Sequence, residues 1–512
     1  MAVASTPAWT APATPDSGSA VINPVNGEVA GYVPDQKAQD AINAVARARE
    51  AQMSWAKLSY RQRAEPIIRF HDMILKRREE LFEVMRAESG KAWRDCFAEV
   101  FAVASEARFY AYNGEKYVRS HRVKTAIPVR DRSMVNYHPV GVVGIITPWN
   151  FPFIMTMGDT IPALLAGNAA VIKPSSFTPL TAIWGRERMV ECGIPADLLQ
   201  IVTGEPIELA NALIDHADFI MFTGSTEVGR IIAQRAAKRL IPYSMELGGK
   251  NALIVLPKGN LKHAATVTIE GAFNNNGQVC VSYERVYIHE RVYDRYVTEL
   301  TRQIKSVRLG PGPGYDVDLG SMVNEKHVRS VEAHVTDAVG KGAHLLYGGK
   351  RRPDLGPAFF EPTILEGVKP DMHAFAEETF GPVIALYKFT DIEEAIRLAN
   401  DSPYGLHFGV FSGDRIEGER IAMRLQAGSV CVNDSYTSWA SMEGPMGGFK
   451  QSGVGRRHGP EGLRKYTQPQ TILTNQTDLQ IGSRETALAI NKTLADALAL
   501  MLRLWRYVPF LR

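Results

Sequence analysis

The sequence holds four cysteines, and Cys280 is the one whose neighbours best suit nucleophilic chemistry. It ends the stretch FNNNGQVC, in which Gly277 permits a close backbone approach and the side-chain amides supply hydrogen-bonding groups. A cysteine attacks as its thiolate, and with an ordinary pKa of about 8.5 only a few per cent of thiols are ionised at neutral pH. Taken alone, such a cysteine is more often a buried structural residue. Its chemical role therefore depends on partners elsewhere in the chain.

Two polar residues are candidates for those partners. Glu246 lies in MELGGKN, beside two glycines, and could act as a general base on a tight loop. Asn150 lies in TPWNFP, directly after an all-apolar run, and offers an amide NH2 at the end of a strand, where open α/β sheets bind ligands. A surface turn is the alternative interpretation of each segment.

Two further segments suit a dinucleotide. In FTGSTEVGR, Gly224 and Gly229 frame a strand-to-helix turn, and the N-terminus of a helix attracts a pyrophosphate. The GxGxxG fingerprint is absent, so this segment alone is weak evidence. In EETFGPV, Glu378 could accept a hydrogen bond from a ribose hydroxyl and Phe380 could pack on a flat ring. A Gly-Pro turn in a loop is the alternative for this second segment.

Short apolar strands must position these residues. Segments with a helical pattern alternate with VGVVGIITP, AAVIKP, QIVTG, FIMFTG and ALIVL. This alternation predicts an α/β fold with two doubly wound parallel-sheet domains. A helical pattern also runs from Asp40 to about Tyr117. Residues 122–139 resemble a pair of strands without a core of its own, which predicts pairing with another subunit.

Composition narrows the class of protein. Hydrophobic residues make up 45% and charged residues 22% of 512 residues, as in a globular enzyme of two or three domains. The net charge of +3 does not suggest a nucleic-acid partner. Scattered cysteines and histidines indicate a reduced, cytoplasmic protein without a metal site. We find no secretory signal and no apolar run of membrane-spanning length.

We expect the following organisation along the chain. A disordered leader spans 1–20, a dinucleotide-binding domain 21–121 and 140–248, a catalytic domain 249–452, an oligomerisation element 122–139 and 460–476, and a C-terminal amphipathic tail 477–512. Within the tail, residues 484–512 predict a helix with a stripe of leucines. This helix either lies at a membrane surface or packs on the enzyme itself or on a neighbouring subunit.

The motifs in this order are similar to those of the aldehyde dehydrogenase superfamily. The resemblance runs from about Val21 to Ile472 and rests on the segments PWNFP, PALLAGNAAVIKPSSFTP, FTGSTEVGR, ELGGKN, FNNNGQVC, EETFGPV, NDSPYGL and GGFKQSGVGRRHGPEGLRKYT. It implies two Rossmann-like domains, a homodimer or homotetramer, and NADP or NAD as cofactor. It also implies that an aldehyde is oxidised to a carboxylic acid.

The resemblance further implies residue roles. Cys280 would be the nucleophile, Asn150 and the Cys280 N–H an oxyanion hole, and Glu246 the general base. Lys173 would serve both catalysis and cofactor binding. The remaining cofactor-binding residues would be Ile146, Thr147, Trp149, Ser175, Ser176, Gly204, Gly224, Ser225, Gly229, Leu247, Glu378 and Phe380. Ser176 replaces a glutamate that is common in members that favour NAD, so acceptance of NADP is expected, as a preference or alongside NAD.

The prediction of the substrate rests on fewer residues. Gly158 occupies a position where members acting on small aldehydes often carry Trp, which suggests room for a hydrophobic, aromatic or long-chain aldehyde. Candidate substrate-binding residues are Phe151, Met155, Gly158, Val279, Val281, Tyr436, Trp439 and Met446, with Met442 nearby. The alternatives are a succinate-semialdehyde or similar semialdehyde dehydrogenase, which several segments resemble, a CoA-acylating relative, and a non-enzymatic scaffold. Arg285 could suggest an acidic substrate but is common in the superfamily, so it is discounted.

Overall fold

The computed structural model describes residues 13–126, 130–477 and 492–507. These residues form two compact units. The larger unit comprises residues up to Tyr117 and Pro139–Tyr466, and the smaller unit comprises Val118–His138 and the residues from Thr467 onward.

A six-stranded sheet forms the first layer of the larger unit. In spatial order its strands are Gly453–Val454, Tyr243–Glu246, Phe219–Thr223, Val142–Ile146, Ala169–Lys173 and Leu199–Ile201. All neighbours are parallel except the edge strand Gly453–Val454, which pairs antiparallel with the strand that ends at Glu246. The strand order reverses beside Val142–Ile146, and such a reversal opens a crevice at the carboxyl ends of the strands.

Helices cover this sheet. They are Ala38–Trp55, Tyr60–Lys76, Arg78–Ser89, Trp93–Asn113, Glu115–Val118, Asp159–Leu165, Pro179–Glu191, Pro206–His216, Thr226–Lys238 and Gly459–Arg464. The helical pattern between Asp40 and Tyr117 is thus confirmed. A π-helix at Ile154–Gly158 precedes the α-helix Asp159–Leu165. The wider turn changes which side chains of this segment face inward, and such turns are frequent at functional sites.

A seven-stranded sheet forms the second layer. Its spatial order is His344–Tyr347, Thr363–Glu366, Val383–Phe389, Tyr283–His289, Asn251–Val255, His407–Phe411 and Ser429–Val432. Only the first pair is antiparallel. Its helices are Leu261–Phe273, Tyr293–Ile304, Glu325–Gly340, His373–Ala376, Ile392–Asn400 and Arg415–Ala422, and 3-10 turns lie at Asn274–Gly277, Glu290–Val292 and Thr437–Ala440.

The central strands of both sheets are buried along their length. Val142–Ile146, Ala169–Lys173 and Asn251–Val255 contain only buried residues. Helices on both faces exclude water, which favours uninterrupted runs of Val, Ile and Ala over an alternating pattern. The predicted α/β class with two mainly parallel sheets is confirmed.

Two small sheets complete the larger unit. Gly18–Ile22 pairs antiparallel with Val29–Pro34, and Tyr404–Gly405 pairs with Phe449–Lys450. The first pair corrects the expectation of a disordered leader over residues 1–20. Residues from Gly18 are already in a strand, because the Asn-Gly turn returns the chain to pair with it, and residues 1–12 lie outside the described residues.

The smaller unit contains a three-stranded sheet. Its spatial order is Thr467–Asn475, Asp131–Pro139 and His121–Val123. His138 contacts Gln470 across the first pair, at 2.9 Å between Nε2 and Oε1. The tail contributes the helix Lys492–Trp505, whereas the rest of the helix expected over 484–512 lies outside the described residues. Among the described residues, no helix is long and apolar enough to cross a membrane.

Candidate active site

The segment before Cys280 has an unusual backbone. Asn275 and Asn276 have left-handed φ angles of 50° and 55°, and Gly277 has a φ of 67°. A Cβ atom on Gly277 would lie 2.1 Å from the carbonyl oxygen of Gly381, so only glycine fits there. The Asn276 amide secures the segment by donating to the Gly320 carbonyl at 2.9 Å.

The strand Asn251–Val255 holds the Cys280 backbone. The Asn251 amide donates to the carbonyls of Cys280 and Ser282, each at 2.8 Å. Burial, together with the carboxylates of Glu378 and Glu246, raises the pKa of the Cys280 thiol to about 12, while Arg457 opposes them. Burial therefore favours the neutral thiol at Cys280, and a cysteine in that state needs a base to remove its proton before it can act as a nucleophile.

Asn150 is tied to the same segment from the other sheet. It follows the strand Val142–Ile146 and is buried. Its Nδ2 donates to the Gln278 carbonyl at 3.0 Å, and the backbone carbonyl of Asn150 accepts from the Asn275 side-chain amide at 3.0 Å. The first bond holds the Asn150 side chain and the second holds its main chain, and among the described residues the second N–H of the Asn150 amide has no acceptor.

Glu246 ends the strand Tyr243–Glu246 and is buried. Among the described residues, its Oε1 has no hydrogen-bond partner. Burial raises the pKa of Glu246 to about 7, while the positive charges of Arg457 and Lys465 hold it down. A carboxylate with a pKa near neutrality suits a general base, because it is partly ionised and also basic enough to take a proton.

Cys280 lines a pocket whose wall is mostly apolar. All eight predicted substrate-binding residues line it: Phe151, Met155, Gly158, Val279, Val281, Tyr436, Trp439 and Met446. Met155 and Gly158 lie on the π-helix, which places both in the wall. The pocket also holds Met442 and the charged residues Asp95, Glu106, Asp159 and Arg457.

A second set of predicted residues meets at the carboxyl ends of the first sheet. Ser225 caps the helix Thr226–Lys238, and its hydroxyl accepts from the Val228 N–H at 3.4 Å. This helix starts beside the point where the strand order reverses, where its free N–H groups favour an anion. Thr147 lies at the same edge, and among the described residues its buried Oγ1 has no partner.

Lys173 is a buried ammonium in this region. Its Nζ donates to the Pro174 carbonyl at 3.1 Å, and burial lowers its pKa to about 8. Ser175 is partly exposed and Ser176 is exposed. Lys173 can donate to a phosphate, and the hydroxyls of Ser175 and Ser176 can bond to a ribose. This set of donors suits a dinucleotide.

The loop 377–381 brings Glu378 and Phe380 to the site. Glu378 Oε1 accepts from the Gly249 N–H at 2.9 Å, and burial raises the pKa of Glu378 to about 8. Phe380 has a left-handed φ of 50°, and its ring packs edge-on against Trp149 at 5.5 Å. The side chain of Trp149 thus links the segment of Asn150 to this loop.

The other predicted cofactor residues are found close by. Ile146 is buried at the end of its strand, and Gly224 follows Thr223 at the neighbouring strand end. Gly229 lets its helix pack on Leu247, since a Cβ there would lie 2.7 Å from Leu247 Cδ2. Gly204 approaches the Gln36 carbonyl instead, where a Cβ would lie 2.2 Å away.

Several residues of the site were not predicted from the sequence. Glu284 accepts hydrogen bonds from the N–H groups of Thr379 and Phe380, each at 3.0 Å, and from Lys250. His327 Nε2 donates to the Phe380 carbonyl at 2.8 Å. The one available signal for Glu284 was a glutamate within the strand Tyr283–His289, because buried carboxylates are rare unless they are paired.

Arg457 was also missed. Its guanidinium forms a two-point ion pair with Asp159, at 3.0 and 2.6 Å, and donates to Thr223 Oγ1 at 2.6 Å. It thereby joins the π-helix region to the strand beside Glu246. Arg285, in contrast, is buried against the carbonyls of Lys250, Leu398 and Ala399 and does not line the pocket.

Comparisons with known proteins identify a family and relatives that match most of the chain. Residues 9–472 match the model described as aldehyde dehydrogenase family. A Mycobacterium ulcerans protein named "Putative succinate-semialdehyde dehydrogenase, NADP(+), 2" is 44% identical over 443 residues, which cover 86% of each chain. The rice protein "Succinate-semialdehyde dehydrogenase, mitochondrial" is 35% identical over 450 residues, covering 88% of this chain and 84% of its own.

Solved structures share the fold. Succinate-semialdehyde dehydrogenase from Burkholderia pseudomallei matches with a TM-score of 0.86 at 34% identity, over 91% of this chain and 96% of that chain. Betaine aldehyde dehydrogenase from Staphylococcus aureus in complex with NAD+ matches with a TM-score of 0.86 at 32% identity, over 93% and 95%.

Proposed function

We propose, on the premise that this chain belongs to the aldehyde dehydrogenase family, that it oxidises succinate semialdehyde or a similar short aldehyde that carries a carboxylate. Membership makes the protein an aldehyde-oxidising, NAD(P)-dependent enzyme and removes the scaffold alternative. The observation that supports this proposal most is that Cys280 and the guanidinium of Arg457 line the same pocket. A nucleophile and a cation are therefore available to the two ends of such a molecule. The names of the relatives support the same substrate class.

The first step is attack by the Cys280 sulfur on the aldehyde carbon. Because burial keeps the thiol protonated, Glu246 is the group we assign to accept its proton. The resulting oxyanion accepts hydrogen bonds from the Asn150 amide and the Cys280 N–H. Preorganised donors of this kind typically contribute about 2.7–4 kcal/mol each to lowering the barrier.

The second step releases the acid. A bound nicotinamide dinucleotide supplies the acceptor for the hydride that leaves the substrate carbon. The acyl group then remains on Cys280 as a thioester, and Glu246 activates water for its hydrolysis. The carboxylate at Glu246 favours hydrolysis over transfer to CoA, so activity should not require CoA. NADP+ reduction measured with and without CoA tests this.

For the cofactor we propose NADP+, with NAD+ also accepted. Lys173 and Ser176 would hold the adenosine ribose and its phosphate, Ser225 would lie at the pyrophosphate, and Glu378 with Phe380 would position the nicotinamide ribose. Ser176→Glu is expected to raise KM for NADP+ at least tenfold and to change KM for NAD+ little, because a carboxylate repels the 2′-phosphate. An equal change for both cofactors would contradict the assignment.

A second candidate substrate is a hydrophobic aldehyde. The aromatic and Met side chains that line most of the pocket support it. An aldehyde panel with NAD+ and NADP+, monitored by the absorbance of the reduced nicotinamide, separates the candidates. A kcat/KM for succinate semialdehyde below that for pentanal would refute the proposed substrate.

We also propose that the three-stranded sheet of the smaller unit pairs with another copy of the chain, giving a homodimer or homotetramer. The long edge strand Thr467–Asn475, which is exposed from its second residue onward, supports this, because an unpaired sheet edge can form hydrogen bonds with a strand of another chain. Sedimentation of the full chain is the test. Membrane contact through the helix Lys492–Trp505 remains a hypothesis, supported by its exposed leucines. Liposome flotation, with a chain truncated at Gln480 as control, tests it.

A further inference from the structure

One buried carboxyl in the pocket is not used by the proposed chemistry. Glu106 lies on the helix Trp93–Asn113, is 7% exposed, and lines the same pocket as Cys280. Among the described residues it has neither a hydrogen-bond partner nor an ion-pair partner. A buried polar group without a partner costs free energy, so an acidic side chain is rarely kept in such a place without a ligand.

Gly158 makes room for this carboxyl. A Cβ atom at residue 158 would lie 2.8 Å from Glu106 Oε2, so any side chain there would displace the carboxyl. The φ angle of Gly158 is −59°, which every residue adopts, so backbone strain does not require glycine. The glycine leaves space that the Glu106 carboxyl occupies, and an added Cβ would push the end of that flexible side chain aside.

A hydrogen-bond donor without an acceptor lies in the same pocket. Nε and Nη2 of Arg457 donate hydrogen bonds to Asp159 and Thr223. Among the described residues, Nη1 of Arg457 has no acceptor. The pocket therefore presents one free guanidinium edge and one free carboxyl.

We propose that Glu106, in its protonated form, and Arg457 together bind the carboxylate at the far end of the aldehyde substrate. The Glu106 hydroxyl donates one hydrogen bond and Arg457 Nη1 donates another, and both are charge-assisted. This inference rests on the proposed function and adds the residues that select the substrate.

The surroundings support the neutral form of Glu106. Burial, together with the charge of Asp159, raises the pKa of Glu106 to about 8 against the opposing charges of Arg457 and Lys465. The phenols of Tyr110 and Tyr466 are also close enough to couple to Glu106. The imidazole of His458 lines the pocket, and burial lowers its pKa to about 4, so it adds no positive charge at neutral pH.

The test compares succinate semialdehyde with pentanal, an uncharged aldehyde of similar length. Both use Cys280 and Glu246, so the ratio of their kcat/KM values cancels the titration of those groups. In the wild type this ratio should be constant below pH 7 and fall up to tenfold per pH unit above pH 8, as Glu106 ionises. Glu106→Gln keeps a donor that never ionises, and its ratio should stay flat across this range.

Two further variants isolate the role of the carboxyl. Glu106→Leu removes the donor at similar volume and should lower the ratio 10- to 100-fold, with pentanal activity kept. Gly158→Ala leaves Glu106 intact but forces it aside, and should lower the ratio as well. Thermal unfolding of each variant separates loss of selectivity from loss of folding.

The outcomes are distinguishable. If the wild type prefers pentanal, the proposed substrate fails. If the wild type prefers succinate semialdehyde and Glu106→Leu keeps that preference, only the role of Glu106 fails. If 4-aminobutanal is the best substrate and Glu106→Gln abolishes its use, the carboxyl is ionised and binds an ammonium, which overturns the inference.

Discussion

The ion pair of Lys250 and Glu284 offers a quantitative test of how the cofactor loop is held. Lys250 Nζ lies 2.5 Å from Glu284 Oε2, and both side chains are less than 5% exposed. Lys250 also donates to the Glu377 carbonyl at 2.6 Å. Glu284 accepts hydrogen bonds from the N–H groups of Thr379 and Phe380. The pair thus holds the backbone of the loop both before and after Glu378.

Lys250→Met should therefore destabilise the protein strongly. It leaves Glu284 as a buried, uncompensated charge, and breaking a buried pair in this way costs about 3–5 kcal/mol. The double variant Lys250→Met/Glu284→Gln removes both charges while keeping one acceptor oxygen for the loop. It should cost less than the sum of the single variants, by about 0.5–3 kcal/mol. Urea unfolding gives the free energies, and fluorescence titration with NADPH gives the dissociation constants.

An exposed pair provides the control. Arg424 and Glu393 form an ion pair with side chains 48% and 59% exposed. Arg424→Met should change neither stability nor NADPH affinity appreciably, because exposed ion pairs contribute little. The single buried variants should also raise the NADPH dissociation constant at least tenfold. Strict additivity in the double variant, or a Lys250→Met effect no larger than that of the control, would refute the reasoning.

Three further predictions concern the nucleophile segment. Asn150→Ala should lower kcat about 10²–10³-fold in steady-state assays, through loss of an oxyanion donor, and an unchanged kcat would exclude that role. The activity should rise with pH through about 7 as Glu246 ionises, and Glu246→Gln should abolish this limb of the pH–rate profile; a retained limb would assign it to another group. Gly277→Ala should lower both activity and melting temperature, because its Cβ would meet Gly381. Gly314→Ala, which has a φ of +92° but open space, is the matched control and should cost far less.

Much of the fold could be predicted because its causes are local. Strands buried on both faces need continuous apolar runs, and VGVVGII and AAVIK are such runs. The candidate residues Asn150, Lys173 and Ser225 each lie at or just after the end of such a strand, whereas Glu246, which was predicted on a tight loop, ends the strand Tyr243–Glu246. In a parallel sheet these ends meet at one edge.

The rest could not be predicted because it depends on packing between distant segments. Glu106 precedes Gly158 by many residues, and only the folded helix brings its carboxyl against that glycine. His327 is an ordinary helix residue in the sequence, and its contact with Phe380 follows from the loop conformation. The π-turn at Ile154–Gly158 also has no pattern in the sequence that separates it from an ordinary helix.

The edge strand Gly453–Val454 has a consequence for biosynthesis. The strand that ends in Glu246 gains its second neighbour only when Gly453 pairs with it, and the Leu247 N–H bonds to the Ser452 carbonyl. During translation this strand therefore remains an open edge while the entire second sheet is made. Open edges invite pairing with other chains, and such late, non-local closure slows folding. We expect nascent chains that end before Gly453 to be prone to aggregation and to need chaperones, although their first sheet is nearly complete.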